Sequence, residues 1–72
     1  MSRIVALGED DRLEGFALAG ASVIQATTDD EIRRAWDGLD PDVGFVILST
    51  RASQVLDPLF GNRSDVLTAV LP

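Results

Sequence analysis

Apolar residues along the chain form two kinds of pattern that alternate. Short continuous apolar runs at 3–7, 21–26, 43–48 and 66–71 predict four strands, of which the run at 43–48 is the strongest. Between these runs, apolar residues recur at i, i+3 and i+4, which predicts three helices. Strands that alternate with helices of about ten residues are typical of a parallel sheet with helices on both faces.

The strand order follows from hydrophobicity and from crossover handedness. Right-handed crossovers leave few topologies open. Because the first and third strands are the most apolar, we place them in the centre and predict the order 2-1-3-4. The 72 residues contain no linker and no low-complexity segment. We therefore expect one small three-layer α/β domain over residues 1–72, Rossmann-like or receiver-like.

The first helix is predicted to begin after Gly8 and to end at Gly20, a common C-terminal stop. Asp10 or Asp11 is the expected N-cap. One face of this helix is apolar and consists of Leu13, Phe16, Ala17 and Gly20.

The second helix is predicted to start with a capping box, in which Thr28 is the cap and Glu31 reaches back to it. Asp40-Pro41 is its expected end. Its apolar face consists of Ile32, Ala35, Trp36 and Leu39. Core packing is the favoured role for Trp36, with an interface anchor as the second interpretation.

The third helix follows Ser49, whose hydroxyl is its expected cap. Its apolar face consists of Ala52, Val55, Leu56, Leu59 and Phe60. Pro58 interrupts that face, so we expect the helix to kink or end near Asp57. Gly61-Asn62 is predicted to be a turn before the fourth strand.

The composition narrows the chemistry. The net charge is −6, so nucleic acid and anionic lipid are disfavoured as partners. The chain has no cysteine and no histidine, so it lacks the commonest metal ligands and the commonest general base. All six basic residues are arginine, so it also lacks the lysine that phosphate-binding loops require. No apolar run approaches the ~20 residues of a membrane span. We expect a cytoplasmic protein without a cofactor.

Acidic residues gather at the predicted carboxyl edge of the sheet, where ligands of such folds bind. They could form a Mg²⁺ site, as in receiver domains, or they could cap two helices. Receiver domains need an aspartate after the third strand, where this chain has Ser49-Thr50, and they need a lysine. Helix capping is therefore the favoured role of these acids, which are Glu9, Asp10, Asp11, Asp29, Asp30 and Glu31.

Two further residues have alternative interpretations. Gly15 lies inside a helix, where glycine costs about 1 kcal/mol relative to alanine. A crossing strand beneath it could need the room, which we favour, or a partner could approach from above. Arg51 could meet an anion, although pairing with a neighbouring acid is the commoner role of such an arginine.

The chain resembles the F subunits of the V-type (archaeal and bacterial A/V-type) ATPases, which are small parts of the central stalk of a rotary motor. The most specific residues are the block Gly15-Phe16-Ala17-Leu18-Ala19-Gly20, preceded by Gly8 and Asp11. The run 43–50, a glycine among aliphatics followed by Ser-Thr, and the ending 70–72 are also similar. Arg12 and Pro58 depart from the family's pattern, and the family continues into a C-terminal helix that residues 1–72 lack.

The resemblance implies a non-catalytic protein that docks on the coiled-coil central-stalk subunit, the D-type component of these motors, and helps to couple ATP hydrolysis or synthesis to ion transport. The implied location is peripheral to the membrane, through the ATPase complex. A stand-alone receiver-like scaffold without phosphorylation chemistry is the alternative, and a small Mg²⁺ enzyme is the least favoured.

A docking surface is expected where the fourth strand forms the edge of the sheet. An apolar, unpaired edge invites a covering partner. We predict that the isolated domain dimerises or holds a partner there. The candidate interface residues are Val66, Leu67, Val70 and Leu71.

Overall fold

A computed structural model describes residues 3–63 and 65–72 of the chain, apart from the side chain of Asn62. Four strands form a parallel sheet in the order β2-β1-β3-β4, which confirms the predicted topology. β2 and β4 are each one residue shorter at both ends than predicted. The strands are β1 Arg3–Gly8, β2 Ser22–Gln25, β3 Val43–Leu48 and β4 Leu67–Val70.

The connection between β1 and β2 is a 3₁₀ helix, Asp11–Ala19, where the sequence predicts an α-helix. With three residues per turn, residues three apart share one side of the helix. Leu13 is buried and Phe16 is half-buried, but Ala17 is exposed, so the prediction that Ala17 shares their face is wrong. Gly20 ends this first 3₁₀ helix as predicted, with a left-handed φ of 96°.

The two α-helices lie on the other side of the sheet. Helix α1, Asp29–Asp37, begins with the predicted capping box. It ends earlier than the expected Asp40-Pro41, because the backbone leaves helical geometry at Gly38 and the Leu39 N–H then bonds to the Trp36 carbonyl, only three residues back, at 3.2 Å. Helix α2 is Thr50–Leu56.

A second 3₁₀ helix, Asp57–Arg63, continues from α2. Pro58 has no N–H to donate to the preceding turn, so the regular α-helix stops at Leu56, close to the predicted point. The predicted turn at Gly61-Asn62 is wrong, because the backbone of both residues belongs to this 3₁₀ helix.

The hydrophobic core lies between the sheet and the two α-helices. Strand residues that point to this side are buried, as are the inward residues of α1 and α2. Trp36 is 2% exposed and packs edge-on against Phe60, which confirms its predicted core role. We call this side the covered face; its fully buried side chains include Leu7, Ile32, Trp36, Val46, Leu48 and Leu56.

The opposite side of the sheet is covered only in part. The first 3₁₀ helix packs on β1 and β2. In the ladder, Phe45 pairs with Leu67 and Ile47 pairs with Ala69, so these side chains share the face away from α1 and α2. We call this surface of β3 and β4 the open half, defined by Phe45, Ile47, Leu67 and Ala69. Its central residues are half-buried, and Leu67 is 68% exposed.

Candidate functional site

The carboxyl ends of β1 and β3 meet at Gly8 and Ser49. Gly8 has a φ of 150°, and a Cβ built on it would lie 2.7 Å from the Cβ of Ser49. Ser49 is buried, and its hydroxyl accepts the Ala52 N–H at 3.1 Å, the predicted cap of α2. Glycine at position 8 therefore makes room for the residue that starts α2.

Asp10 caps the first 3₁₀ helix, as expected. Its carboxylate accepts the backbone N–H of Arg12 at 2.9 Å and the Arg12 guanidinium at 2.8 Å. The side-chain hydrogen bond from Arg12 is the largest cause that holds the pKa of Asp10 below its ordinary value, and it raises the pKa of Arg12. Both groups lie at the surface, so this pair orders the loop and carries little stabilisation.

Glu31 and Thr28 complete a capping box. The Thr28 hydroxyl accepts the Glu31 N–H at 3.1 Å, and the Glu31 carboxylate accepts the Thr28 N–H at 3.0 Å. Thr27 adds its own N–H and hydroxyl to the same carboxylate oxygen. These hydrogen bonds, chiefly the one from the Thr28 backbone, hold the pKa of Glu31 below its ordinary value.

The remaining acids at this edge of the sheet each have different partners. Asp29 pairs with Arg51 at 3.0 Å, which confirms the pairing predicted for that arginine, and Asp30 pairs with Arg33 at 3.4 Å. Asp11 lies exposed in the first turn of the 3₁₀ helix. Within the described residues, one oxygen of Glu9 is buried without a hydrogen-bond partner.

The described residues bring these acids to one edge without forming a ligand cluster. Over 3–63 and 65–72, no group of three or more acidic side chains is placed to hold a metal ion. The same part of the chain encloses no pocket. None of its helices has the length and hydrophobicity needed to cross a membrane.

The residues of the resemblance block lie mostly on the surface. Gly8 is buried and Phe16 is half-buried, whereas Asp11, Ala19 and Gly20 are exposed. Leu18 is 95% exposed. A Cβ at Gly15 would meet nothing within 4 Å, so the favoured interpretation, that a strand beneath needs the room, is wrong.

The four candidate interface residues do not share one environment. Val66 is 8% exposed and belongs to the core of the covered face. Leu67 and Val70 are 68% and 47% exposed and point to opposite faces of β4. Leu71 is half-buried, and its N–H bonds to the Leu48 carbonyl at 2.8 Å. Burial thus removes Val66 from any surface at this edge.

The open half was not predicted from the sequence, although the predicted strand order implies it. Right-handed crossovers in the order 2-1-3-4 place one connection on one side of the sheet and two on the other. One helix covers about two strands, since a helix is about 10 Å wide and strands lie about 4.8 Å apart. The predicted topology therefore already left β3 and β4 bare on one face.

The fold and this surface define a small three-layer α/β domain with a partly uncovered apolar sheet face. The model of a protein family described as ATP synthase (F/14-kDa) subunit matches residues 4–72. The chain therefore belongs to this family of ATP synthase subunits, and the resemblance to the F subunits of the V-type ATPases is confirmed. A search of curated proteins gave no match.

Proposed function

We propose that this chain is a non-catalytic central-stalk component of a V/A-type rotary ATPase. In this role it docks on the coiled-coil stalk subunit, which is the D-type component of such motors, and turns with it. It helps to couple ATP hydrolysis or synthesis to the transport of ions such as protons. It is held at the membrane periphery by the complex rather than by a span of its own.

The observation that carries the proposal is the apolar surface at β4 in a member of a family of ATP synthase subunits. β4 is the edge strand of the sheet, and all four of its residues are exposed. Leu67 and Val70 present apolar side chains on both faces of that edge. An edge of this kind is typically covered by a partner, because its unpaired backbone groups and apolar side chains otherwise face water.

The acidic edge supports a role without catalysis. Asp10 and Glu31 are occupied in capping hydrogen bonds, and Asp29 and Asp30 are paired with arginines. Carboxylates in capping hydrogen bonds stabilise the starts of helices, and carboxylates in surface ion pairs connect neighbouring segments of the chain. A carboxylate that acts as general acid or base, by contrast, typically lies in a cleft with a partner that tunes it.

The proposal is tested by purifying the chain together with the coiled-coil stalk subunit encoded in the same genome. We expect a stable one-to-one complex by size exclusion with light scattering. The double variant L67E/V70E should lose the complex while remaining folded by circular dichroism. Asp37→Asn, which changes an exposed acid of α1, is the matched control and should retain it.

Three outcomes would contradict the proposal. A folded chain that forms no complex with the stalk subunit would favour the stand-alone receiver-like scaffold. A Mg²⁺ titration that shifts the NMR signals of Asp10, Asp11 and their neighbours alone would instead favour chemistry at the acidic edge. A chain that binds only itself would make the β4 surface a homodimer interface.

A further inference from the structure

Helix α1 ends in an aspartate–glycine pair, Asp37–Gly38, at the surface of the domain. Asp37 is the last residue of the helix, and both residues are exposed. Within the described residues, the Asp37 carboxylate forms no ion pair. Gly38 has no side chain to shield its backbone nitrogen. Neither a side chain nor an ion pair therefore hinders the approach of the Asp37 carboxyl carbon to the Gly38 nitrogen, the two atoms that join when an aspartate closes a succinimide ring.

The sequence offers this pair at one position. Asp37 is the only aspartate that precedes a glycine. Asp40 and Asp57 precede prolines, whose nitrogens carry no proton to lose. The other aspartates precede residues whose side chains crowd the backbone nitrogen, and the single asparagine, Asn62, precedes an arginine. Ring closure is therefore least hindered at Asp37.

Hydrogen bonds at the end of α1 restrain this reaction. The Gly38 N–H donates to the Arg34 carbonyl at 3.0 Å. The Leu39 N–H donates to the Trp36 carbonyl at 3.2 Å. From the second 3₁₀ helix, the guanidinium Nη1 of Arg63 donates to the Leu39 carbonyl at 3.4 Å. Because helix ends open more readily than core segments, ring closure takes place when this last turn of α1 opens and releases the Gly38 nitrogen.

The residues on either side of the pair belong to the covered face. Trp36 is 2% exposed, and Leu39 packs against the core. An isoaspartate at position 37 lengthens the backbone between them by one carbon atom, while the residue keeps a single carboxylate. The longer link changes the spacing on which the last turn of α1 and the packing of Leu39 depend. The modification therefore weakens the covered face.

We propose that Asp37–Gly38 is a site of spontaneous isoaspartate formation, and that the opening of the last turn of α1 limits its rate. First, the Gly38 nitrogen bonds to the Asp37 Cγ, and the amide proton leaves with the carboxyl hydroxyl as one water molecule. Water then attacks the main-chain carbonyl of Asp37 and breaks its bond to the nitrogen, so the chain continues through Cβ. Attack at Cγ instead restores aspartate. This inference is independent of the proposed stalk function.

The test is incubation of the folded chain for weeks at physiological temperature. An L-isoaspartyl methyltransferase measures the isoaspartate, and electron-transfer fragmentation locates it. A peptide of residues 34–41 is the unfolded reference. We expect isoaspartate at position 37, formed at least tenfold more slowly in the chain than in the peptide. Asp37→Glu cannot close a five-membered ring and should abolish the signal, and the aged unaltered chain should unfold at a lower temperature by Trp36 fluorescence.

Two arginine variants test the restraint. Arg63→Met removes the hydrogen bond to the Leu39 carbonyl and should speed isoaspartate formation at least threefold. Hydrogen exchange at the Gly38 amide should rise with it, since both report the opening of the last turn. Arg33→Met, which removes the surface ion pair with Asp30, is the matched control and should leave both rates unchanged. Equal rates in the two variants would contradict the restraint.

Three results of the incubation would overturn the inference. Isoaspartate that forms faster at another aspartate would show that the glycine does not decide the site. A folded chain that forms none, while the peptide converts, would show that the last turn of α1 does not open far enough for ring closure. Equal rates in the chain and in the peptide would show that the hydrogen bonds at the end of α1 do not limit the reaction.

Discussion

The two faces of the sheet use the same kind of residue in opposite ways. On β3, Leu48 points to the covered face and is fully buried, while its neighbour Ile47 points to the open half and is half-buried. The difference arises from the number of connections on each side and not from hydrophobicity. The comparison teaches that the hydrophobicity of a strand residue does not report whether a helix of the same chain packs on its face of the sheet.

The largest expected effect is a difference in unfolding free energy between alanine substitutions on the covered face and on the open half. Leu48→Ala should lower the free energy of unfolding by about 3 kcal/mol, because it leaves a cavity in the core. Leu67→Ala, at a 68% exposed position, should change it by less than about 0.5 kcal/mol. Urea unfolding followed by circular dichroism measures both. Equal losses would mean that the open half is packed as tightly as the covered face.

A second contrast concerns two glycines. Gly8→Ala should cost about 2 kcal/mol, since alanine is strained at a φ of 150° and its Cβ would displace the Ser49 cap. Gly15→Ala should instead stabilise the chain by about 0.5 kcal/mol, because its surroundings are open. Thermal unfolding distinguishes the two. A destabilised Gly15→Ala variant would show that Gly15 has an internal role.

Substitutions in the capping box of α1, on the covered side of the sheet, should have a smaller effect on stability. Thr28→Ala removes the hydroxyl that accepts the Glu31 N–H, which should cost about 1 kcal/mol. Thr28→Ser retains that hydroxyl and should stay near the unaltered chain. Urea midpoints at neutral pH measure the difference. Identical midpoints for both variants would mean that the box does not limit the stability of α1.

The acid dependence of stability tests the same box through Glu31. Its folded pKa lies below the ordinary value of 4.5, so its contribution is present above that value and is lost as the pH falls through the folded pKa. Glu31→Gln should therefore flatten the decline in stability between about pH 5 and pH 3. Urea midpoints across that range provide the slope. An unchanged slope would assign the acid dependence to other carboxyl groups, such as Asp10, whose pKa is also lowered.

Much of the fold was predictable because each signal was local and strong. Continuous apolar runs located the four strands, and their relative hydrophobicity gave the correct order. The residues Thr28 and Glu31 were sufficient to predict the start of α1, and Pro58 the end of α2, because capping and the missing N–H act within one turn. The roles of Asp10, Ser49 and Arg51 followed from the same short-range preferences.

The errors came from longer-range effects. Over nine residues, spacings of 3.0 and 3.6 are hard to separate, so Ala17 was assigned to the buried side of a helix that is 3₁₀. Ile4 and Leu67 are as apolar as core residues, and hydrophobicity does not report whether a helix lies above them. Val66 was assigned to a surface although α2 and the second 3₁₀ helix enclose a core that includes it.

The position of Trp36 decides what optical methods can observe in this protein. The chain has one tryptophan and no tyrosine, so its intrinsic fluorescence comes almost entirely from an indole ring at 2% exposure against Phe60. That signal follows the integrity of the covered face and is silent about events above β3 and β4. Leu18→Trp, combined with Trp36→Phe, would instead give a fluorophore at an exposed position of the first 3₁₀ helix, outside the covered face.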